Sequence, residues 1–439
     1  MEVFESIWWL LVLLGVMIVI HELGHYWAAV MCDVKVDVFS VGFGPRLFGF
    51  RRGETDFRFS AILFGGYVKM AGEQPGESET TDPRAFSNKP RWQRLIIVLA
   101  GPVMNVLLAV ALLTGLYMVR YYKPTDSYLQ AVVGYVEENS PAAQAGIQKG
   151  DRIVEIEGRK NPSWDDLKEA EGFNANNPIR VSLLRNGQTV NTSLTPGFDE
   201  EIGMGTAGWR EDNDVEIGGV RAGSPAEAAG LLTGDVLVSA NGVPIRSSYG
   251  LPKLVEQNQG APIELVYERD GERRTVTVSP RHEEVEGRMR WLMGVNISPK
   301  RELTSLAFLP ALQLSLETNT RYATMILRFF RGLVERRMSA KSLEGPIGIA
   351  RMSRSAARQG AFEFFLLMAM VSLNLAVVNM LPIPVLDGGM VLLLLVEMAV
   401  RRDLSIQVKE MMFRVGFVFL LAVMAFVLYN DIAKQASGG

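Results

Sequence analysis

Residues 7–25 read IWWLLVLLGVMIVIHELGH, an unbroken apolar run that ends in His21, Glu22 and His25. A run of that length and composition is expected to lie in a membrane helix. On a helix, positions i and i+4 share one face about a turn apart, so both imidazoles can reach a single metal ion. Glu22 is offset in azimuth and stands where it can act on a water at the ion rather than on the ion. This is the H-E-x-x-H arrangement of zinc hydrolases. The alternative is that each imidazole is satisfied by a neighbouring helix carbonyl. Location argues for the ion: an ionisable group at that depth costs several kcal/mol unless it is paired or ligates metal. Three such groups fall within five residues, and the chain holds only 3 histidines in all.

Outward from this motif, the composition is that of a membrane protein with a soluble insert. The chain has 439 residues, 48% of them hydrophobic, with 45 Lys+Arg against 48 Asp+Glu and a net charge of −3. Mean hydropathy is +0.13. A near-neutral balance leaves no basic footprint for nucleic acid, and that class is excluded. The single cysteine, Cys32, rules out an internal disulfide framework and reads as a bystander. Four segments are apolar enough to cross a bilayer: 7–30, 95–119, 364–386 and, with Arg414 near its start, 411–429. The first is read as a span and not a signal peptide, because Glu2 and Glu5 stand where a basic region is required and no small-residue cleavage site follows.

Lys35, Arg46, Arg51, Arg52, Arg58, Lys69, Arg84, Lys89, Arg91 and Arg94 crowd the first connection, and Arg401, Arg402, Lys409 and Arg414 the short one after the third span. The positive-inside bias therefore puts these loops in the cytoplasm and both termini outside, together with the long insert. Arg328, Arg331, Arg336, Arg337 and Lys341 run against that assignment, but charges in long translocated domains carry less weight.

The insert repeats itself. Ser140-Pro141-Ala142, Gly146, Gly150-Asp151, Gly158, Pro178, Arg185, Gly187 and Pro196 return 84 residues later as Ser224-Pro225-Ala226, Gly230, Gly234-Asp235, Gly242, Pro262, Arg269, Gly271 and Pro280. A constant offset over that length means two copies of one small α+β domain. Their segments 140–154 and 224–238 resemble the PDZ domain of bacterial membrane-associated proteases. Residues 303–338, apolar at helical spacing but broken by Glu317, Arg321 and Arg328, are expected to form an amphipathic surface helix.

Zinc needs a third protein ligand and an open position. Asp387 closes the charge-free third segment and is followed by Gly388-Gly389 and a further apolar run; Pro382 and Pro384 open the backbone just before it. The carboxylate is expected either to ligate or to cap the following helix, roles that do not exclude each other. Glu363, Glu397 and Asp33 lie nearer the span ends and are weaker candidates.

His21–His25 in the first span, Gly101-Pro102 and Asn105 in the second, Gly345-Pro346-Ile347, and Asn374, Asn379-Met380-Leu381-Pro382-Ile383-Pro384-Val385-Leu386-Asp387-Gly388 in the third resemble the site-2 protease family, in its bacterial branch that regulates sigma-E. The resemblance covers essentially the whole chain. It implies an intramembrane zinc metalloendopeptidase of the bacterial inner membrane, with one Zn2+ per chain on His21, His25 and Asp387 and Glu22 as catalytic base. It also implies single-pass membrane substrates already trimmed on their outer side: an anti-sigma factor in envelope stress signalling, and remnant signal peptides. Asn374, Pro382 and Pro384 match positions that hold substrate, and Gly65, Gly66 and Tyr67 match a re-entrant β element.

The residues agree with that use. A membrane helix hides its carbonyls in its own hydrogen bonds, so a substrate must be held extended. Phe57, Phe59, Ala61 and Leu63 alternate with Arg58, Ser60, Ile62 and Phe64, and Val34, Val36 and Val38 alternate similarly. Short strands are expected there, with an edge that a substrate could extend; a self-contained hairpin is the alternative. Asn379 is expected to serve the substrate or to bond between helices. Gly134-Tyr135 and Gly218-Gly219 are the nearest approach to a glycine-hydrophobic peptide loop in the repeats, which leaves peptide capture and steric filtering both open. His282 is expected at the solvated surface. The expected domains are 1–31 (first transmembrane helix), 32–94 (cytoplasmic loop), 95–120 (second helix), 121–211 and 212–299 (PDZ repeats), 300–360 (amphipathic juxtamembrane helices), 361–400 (third helix) and 401–439 (fourth helix and tail). A non-catalytic scaffold and a proton-relay transporter are the rival classes. Glu22 separates the first from a protease, and the lack of inverted repeats argues against the second.

Overall fold

The structure, a computed structural model, describes residues 2–73, 82–199, 203–285, 288–335, 338 and 343–436. Arg336, Arg337 and Lys341 lie outside them. In chain order come α1 (Glu2–Met31), strands β1 (Val36–Arg52) and β2 (Thr55–Met70), and α2 (Arg91–Val119). The insert holds α3 (Asp126–Leu129), α4 (Pro141–Gln144), α5 (Trp164–Phe173), α6 (Pro225–Ala228) and α7 (Gly250–Gln257), and α8 (Phe308–Val334), α9 (Pro346–Gln359), α10 (Ala361–Asn379), α11 (Asp387–Val400) and α12 (Ile406–Ala436) follow. The chain divides into two compact units, Met1–Tyr121 with Ser305–Phe330 and Leu343–Gly439, and Tyr122–Thr304 with Arg331–Ser342.

Among the described residues of the first unit, 4 helices are long and apolar enough to cross a membrane: Glu2–Met31, Arg91–Val119, Ala361–Asn379 and Ile406–Ala433. The third apolar segment does not continue as helix to its end. It stops at Asn379, and 380–386 run irregularly before α11, because Pro382 and Pro384 cannot donate to a helical ladder. Leu13 and Met17 of α1 pack with Phe364 and Met368 of α10, while Ala28 and Ala29 share a second core with Ile97 of α2 and Leu394 of α11. α1 and α2 approach closely at Gly24, where a Cβ would fall 2.3 Å from the Ala100 carbonyl oxygen. Helix α9 has no capping side chain of its own. Asp431, buried on α12, accepts instead from the backbone N–H groups of Gly345, Ile347 and Gly348, and so ties α12 to the α9 N-terminus.

Where short strands were expected, β1 and β2 are long and bent. Ser40 pairs with both Arg58 and Tyr67, and Val41 with both Phe59 and Gly66, so the start of β1 is flanked by β2 on both sides. The bends fall at glycines in left-handed geometry, Gly42 at φ +94° and Gly44 at φ +86°. This folding leaves 67–70 along one outer margin of the small sheet.

The second unit contains two repeats, each with its own core: Val133, Ile153, Trp164, Leu183 and Trp209 in the first, Ile217, Leu237, Leu251, Leu265 and Tyr267 in the second. The repeated motif has a direct structural meaning. Ser140 and Ser224 cap α4 and α6 from the same position. Asp151 accepts from the Gln148 backbone and from Arg185, and Asp235 from the Leu232 backbone and Arg269, the same fork in each copy. Equivalent outer strands, Trp209–Glu211 and Val295–Pro299, close the repeats at their C-terminal ends. Each follows a glycine packed on the capping serine, Gly208 on Ser140 and Gly294 on Ser224. The glycine turn beside the outer strand is therefore at these positions. Gly134-Tyr135 and Gly218-Gly219 instead sit within the neighbouring strands Val133–Val136 and Val215–Val220. Between α7 and Val295–Pro299 lies a cavity of about 900 Å3 lined by Val220, Leu251, Val255, Met293 and Ile297. In the first repeat, Met204 packs over Gly172 of α5. His282 is exposed and stacks on Trp291, with ring centroids 4.6 Å apart.

Glu171 of α5 is buried and accepts at 2.8 Å from both the Ala207 N–H and the Trp209 indole N–H. Burial outweighs those two bonds and pushes its carboxyl up to about 7. Between about 4.5 and about 7, the folded unit holds this proton and the unfolded chain does not, so stability falls as pH rises across that window and levels above it. The expected loss is about 3 kcal/mol. Thermal unfolding of the full chain at pH 5 and pH 8, followed by tryptophan fluorescence, should show this drop in wild type and not in Glu171→Gln.

Candidate metal centre

His21 and His25 project from one face of α1 with ring centroids 4.8 Å apart and planes at 82°. Their Nε2 atoms are separated by 3.2 Å. Asp387, the first residue of α11, brings Oδ2 to 3.1 Å from His21 Nε2 and Oδ1 to 3.6 Å from His25 Nε2. One donor atom from each of the three residues lies within 4.8 Å of the others. Donors bound at 2.0–2.1 Å to a tetrahedral zinc stand roughly 3.3 Å from one another, close to the 3.2 Å between the two Nε2 atoms and the 3.1 Å from His21 Nε2 to Asp387 Oδ2. Asp387 Oδ2 is buried and has no hydrogen-bond partner, an expense that a shared cation removes. Two imidazoles and one carboxylate form a donor set suited to zinc.

The surrounding sequence explains the convergence. Gly101 of α2 leaves room for the rings: a Cβ there would fall 2.3 Å from His25 Nε2 and 2.9 Å from His21 Cε1. His25 Nδ1 lies 2.8 Å from the Ile97 carbonyl oxygen and His21 Nδ1 lies 3.3 Å from Asn105 Nδ2, so each ring is gripped from α2. Asp387 is not the cap of α11. That position is Leu386, which makes no side-chain cap bond, and the aspartate is free to face the imidazoles. Gly388 and Gly389 let the preceding loop fold back over the helix start, with Cβ positions 2.3 Å from the Leu381 and Ile383 carbonyl oxygens. Val385 takes φ +87° in that loop, a strained geometry for a β-branched residue.

The model of peptidase family M50 matches residues 9–423. This chain belongs to family M50. Among its curated relatives, a Neisseria meningitidis protein provisionally named a zinc metalloprotease is 34% identical over 438 residues, 95% of this chain and 97% of its own. A Salmonella typhimurium chain named regulator of sigma-E protease RseP is 29% identical, with 97% of each chain covered. A protein of the same regulator name from Salmonella typhi matches equally well. The PDZ domain of an SdrC-like protein from Listeria monocytogenes aligns with 19% of this chain and 87% of its own at 16% identity and a TM-score of 0.18, a likeness that carries no weight by itself. The chain is a zinc metalloprotease of the site-2 type.

The other candidate residues of this M50 chain distribute unevenly about the cluster. Gly66 lies on α1 where a Cβ would meet Glu22 Cγ at 3.0 Å and Ile18 Cγ2 at 2.8 Å, so the outer part of β2 runs along the acid. Gly65 packs on the Phe43 ring, and Tyr67 stacks on Phe43 while its hydroxyl accepts from Arg58 at 2.6 Å. Asn379 Nδ2 stands 3.5 Å from His21 Nε2, at the rim of the donor set. Asn374 is exposed on α10, five residues from Asn379 and on a different azimuth. Pro382 is exposed, and the Pro384 carbonyl oxygen packs where a Cβ on Gly416 of α12 would be, at 2.3 Å. Of the weaker ligand candidates, Glu397 is buried but binds Lys409 at 2.8 Å and the Leu404 N–H, Asp33 pairs with Arg84 and Lys89, and Glu363 is in the first turn of α10. Residue-level reading gave no role to Gly101, Ile97 or Asn105. The available signal was Asn105, a buried amide in an otherwise apolar span.

Proposed function

We propose that this chain is an intramembrane endopeptidase whose single zinc ion is held by His21, His25 and Asp387, with Glu22 as the catalytic base. The observation that carries the reading is the closure of three donor atoms, from a first and a third apolar segment, to within 4.8 Å of one another. When bound, zinc supplies Lewis acidity that makes water nucleophilic near neutral pH and polarises a peptide carbonyl. Glu22 accepts the proton of the attacking water and returns it to the leaving nitrogen. The backbone of β2 beside Glu22, at Gly66, receives the substrate as an added extended strand, which frees carbonyls that a membrane helix keeps in its own hydrogen bonds. Gly65, Gly66 and Tyr67 line that re-entrant element, and Asn374, Pro382 and Pro384 hold the substrate from the other side. The irregular stretch 380–386 supports this, since its backbone is not committed to a helix.

The substrates are single-pass membrane proteins trimmed beforehand on their outer side, an anti-sigma factor in envelope stress signalling and remnant signal peptides among them. The setting is the bacterial inner membrane, with both termini and the insert on the periplasmic side and the metal centre towards the cytoplasm. The insert is a pair of tandem PDZ domains. The cavity beside Val295–Pro299 favours peptide capture by the second of them over a purely steric role. The full chain in detergent is expected to cleave a membrane-anchored peptide, to lose that activity to a chelator and to regain it with zinc. Cleavage that continues after complete removal of metal contradicts the reading.

A further inference from the structure

The two imidazoles are held by chemically different neighbours. His25 Nδ1 faces the Ile97 carbonyl oxygen at 2.8 Å. A carbonyl only accepts, so this contact fixes the proton on Nδ1 and leaves the Nε2 lone pair directed at the donor cluster. No carbonyl fixes the His21 tautomer in this way. Its Nδ1 faces a side-chain amide, Asn105 Nδ2, at 3.3 Å, and an amide offers a donor on one side and an acceptor on the other.

Asn105 is fully buried, and its Oδ1 has no hydrogen-bond partner. Its backbone carbonyl accepts from Ser372 Oγ of α10 at 2.9 Å, which ties this turn of α2 to α10. As the amide stands, Nδ2 donates to His21 Nδ1. With the amide in that orientation the His21 proton is on Nε2, although Asp387 Oδ2 at 3.1 Å makes no hydrogen bond with it and Asn379 Nδ2, a donor, faces the same nitrogen at 3.5 Å. That tautomer cannot ligate through Nε2. Ligation needs the proton on Nδ1 and an acceptor opposite it, and a half-turn of the Asn105 amide delivers Oδ1 to that place.

We infer that Asn105 is a positioning residue that selects the His21 tautomer: with its amide turned so that Oδ1 faces the ring, it accepts from Nδ1–H and leaves the Nε2 lone pair free to ligate. This rests on the metal-centre reading above. It explains why a polar side chain is buried on α2 with an idle oxygen on the same amide that contacts a histidine. It also predicts a strict chemical requirement at position 105, namely an acceptor, which shape alone does not satisfy.

The test is zinc affinity of the purified full-length chain in detergent, measured by competition with a chromophoric chelator and independent of proteolysis. Asn105→Leu, close in volume and without an acceptor, should weaken zinc binding about 10- to 100-fold, the usual cost of losing an outer-shell partner of a ligating histidine. Asn105→Asp, which only accepts, should bind zinc as tightly as wild type or more tightly. Ser372→Ala, which removes the contact to the Asn105 backbone and spares the amide, should bind as wild type does. Leucine binding zinc like wild type, or aspartate binding as weakly as leucine, overturns the inference. Because the aspartate arm does not depend on the leucine variant folding, it decides the matter alone if leucine fails to fold. Wild type that holds no zinc at all refutes the metal-centre reading itself, an outcome distinct from either of these.

Discussion

Glu22→Gln is expected to retain the zinc of wild type and to lower cleavage of a membrane-anchored peptide by about 10^2- to 10^4-fold, the span ordinarily supplied by a positioned general base. The separation of the two effects follows from position. Glu22 is adjacent in sequence to His21 but is not among the residues whose donor atoms converge. It packs against β2 at Gly66, beside the proposed substrate strand. Glutamine keeps the volume and hydrogen-bonding reach and loses the ability to take up a proton. Metal content is read by atomic absorption and turnover by fragment appearance. Loss of zinc together with turnover would make Glu22 a ligand, and persistent turnover would remove it from the chemistry.

The second large effect is at Asp387. Asp387→Asn should reduce bound zinc to less than a tenth of wild type after dialysis against a weak chelator, and abolish cleavage with it. The carboxylate is the only anionic member of the donor set, and it starts a helix whose N-terminal dipole adds to the local positive charge once the anion is gone. His21→Ala should behave alike. A variant at Glu397, buried on the same helix but paired with Lys409, should instead leave zinc content in place while weakening the fold. Equal metal loss from Asp387 and Glu397 variants would point to a collapse of α11 rather than to a ligand.

Much of this site is legible in the residues because membranes make polarity informative. His21, Glu22, His25 and Asp387 stand out against apolar runs in which an ionisable group needs a reason, and the spacing of the histidines is a helical statement in itself. The repeat was likewise readable from constant offsets, since Ser140, Asp151 and Arg185 and their copies each do a local, sequence-visible task as cap, acceptor and donor. What stayed hidden depends on distant backbone. Gly101 matters because two rings occupy its missing Cβ, and Ile97 because of a carbonyl, neither of which a side-chain pattern reveals. The bent course of β1 and β2 was equally out of reach: alternation marks strands, but the pairing of Ser40 with both Arg58 and Tyr67 is a tertiary fact. In the repeats, Gly134-Tyr135 and Gly218-Gly219 stand near the start of each copy, whereas chain order closes the outer strand at the end, after Gly208 and Gly294.

The zinc K-edge X-ray absorption spectrum of the purified wild-type chain bears most directly on whether two remote segments share one cation. The expected spectrum is of one zinc per chain with two imidazole nitrogens and oxygen in its inner shell, altered in its oxygen shell by Asp387→Asn. A spectrum with a single imidazole, or one unchanged by that substitution, would contradict the account.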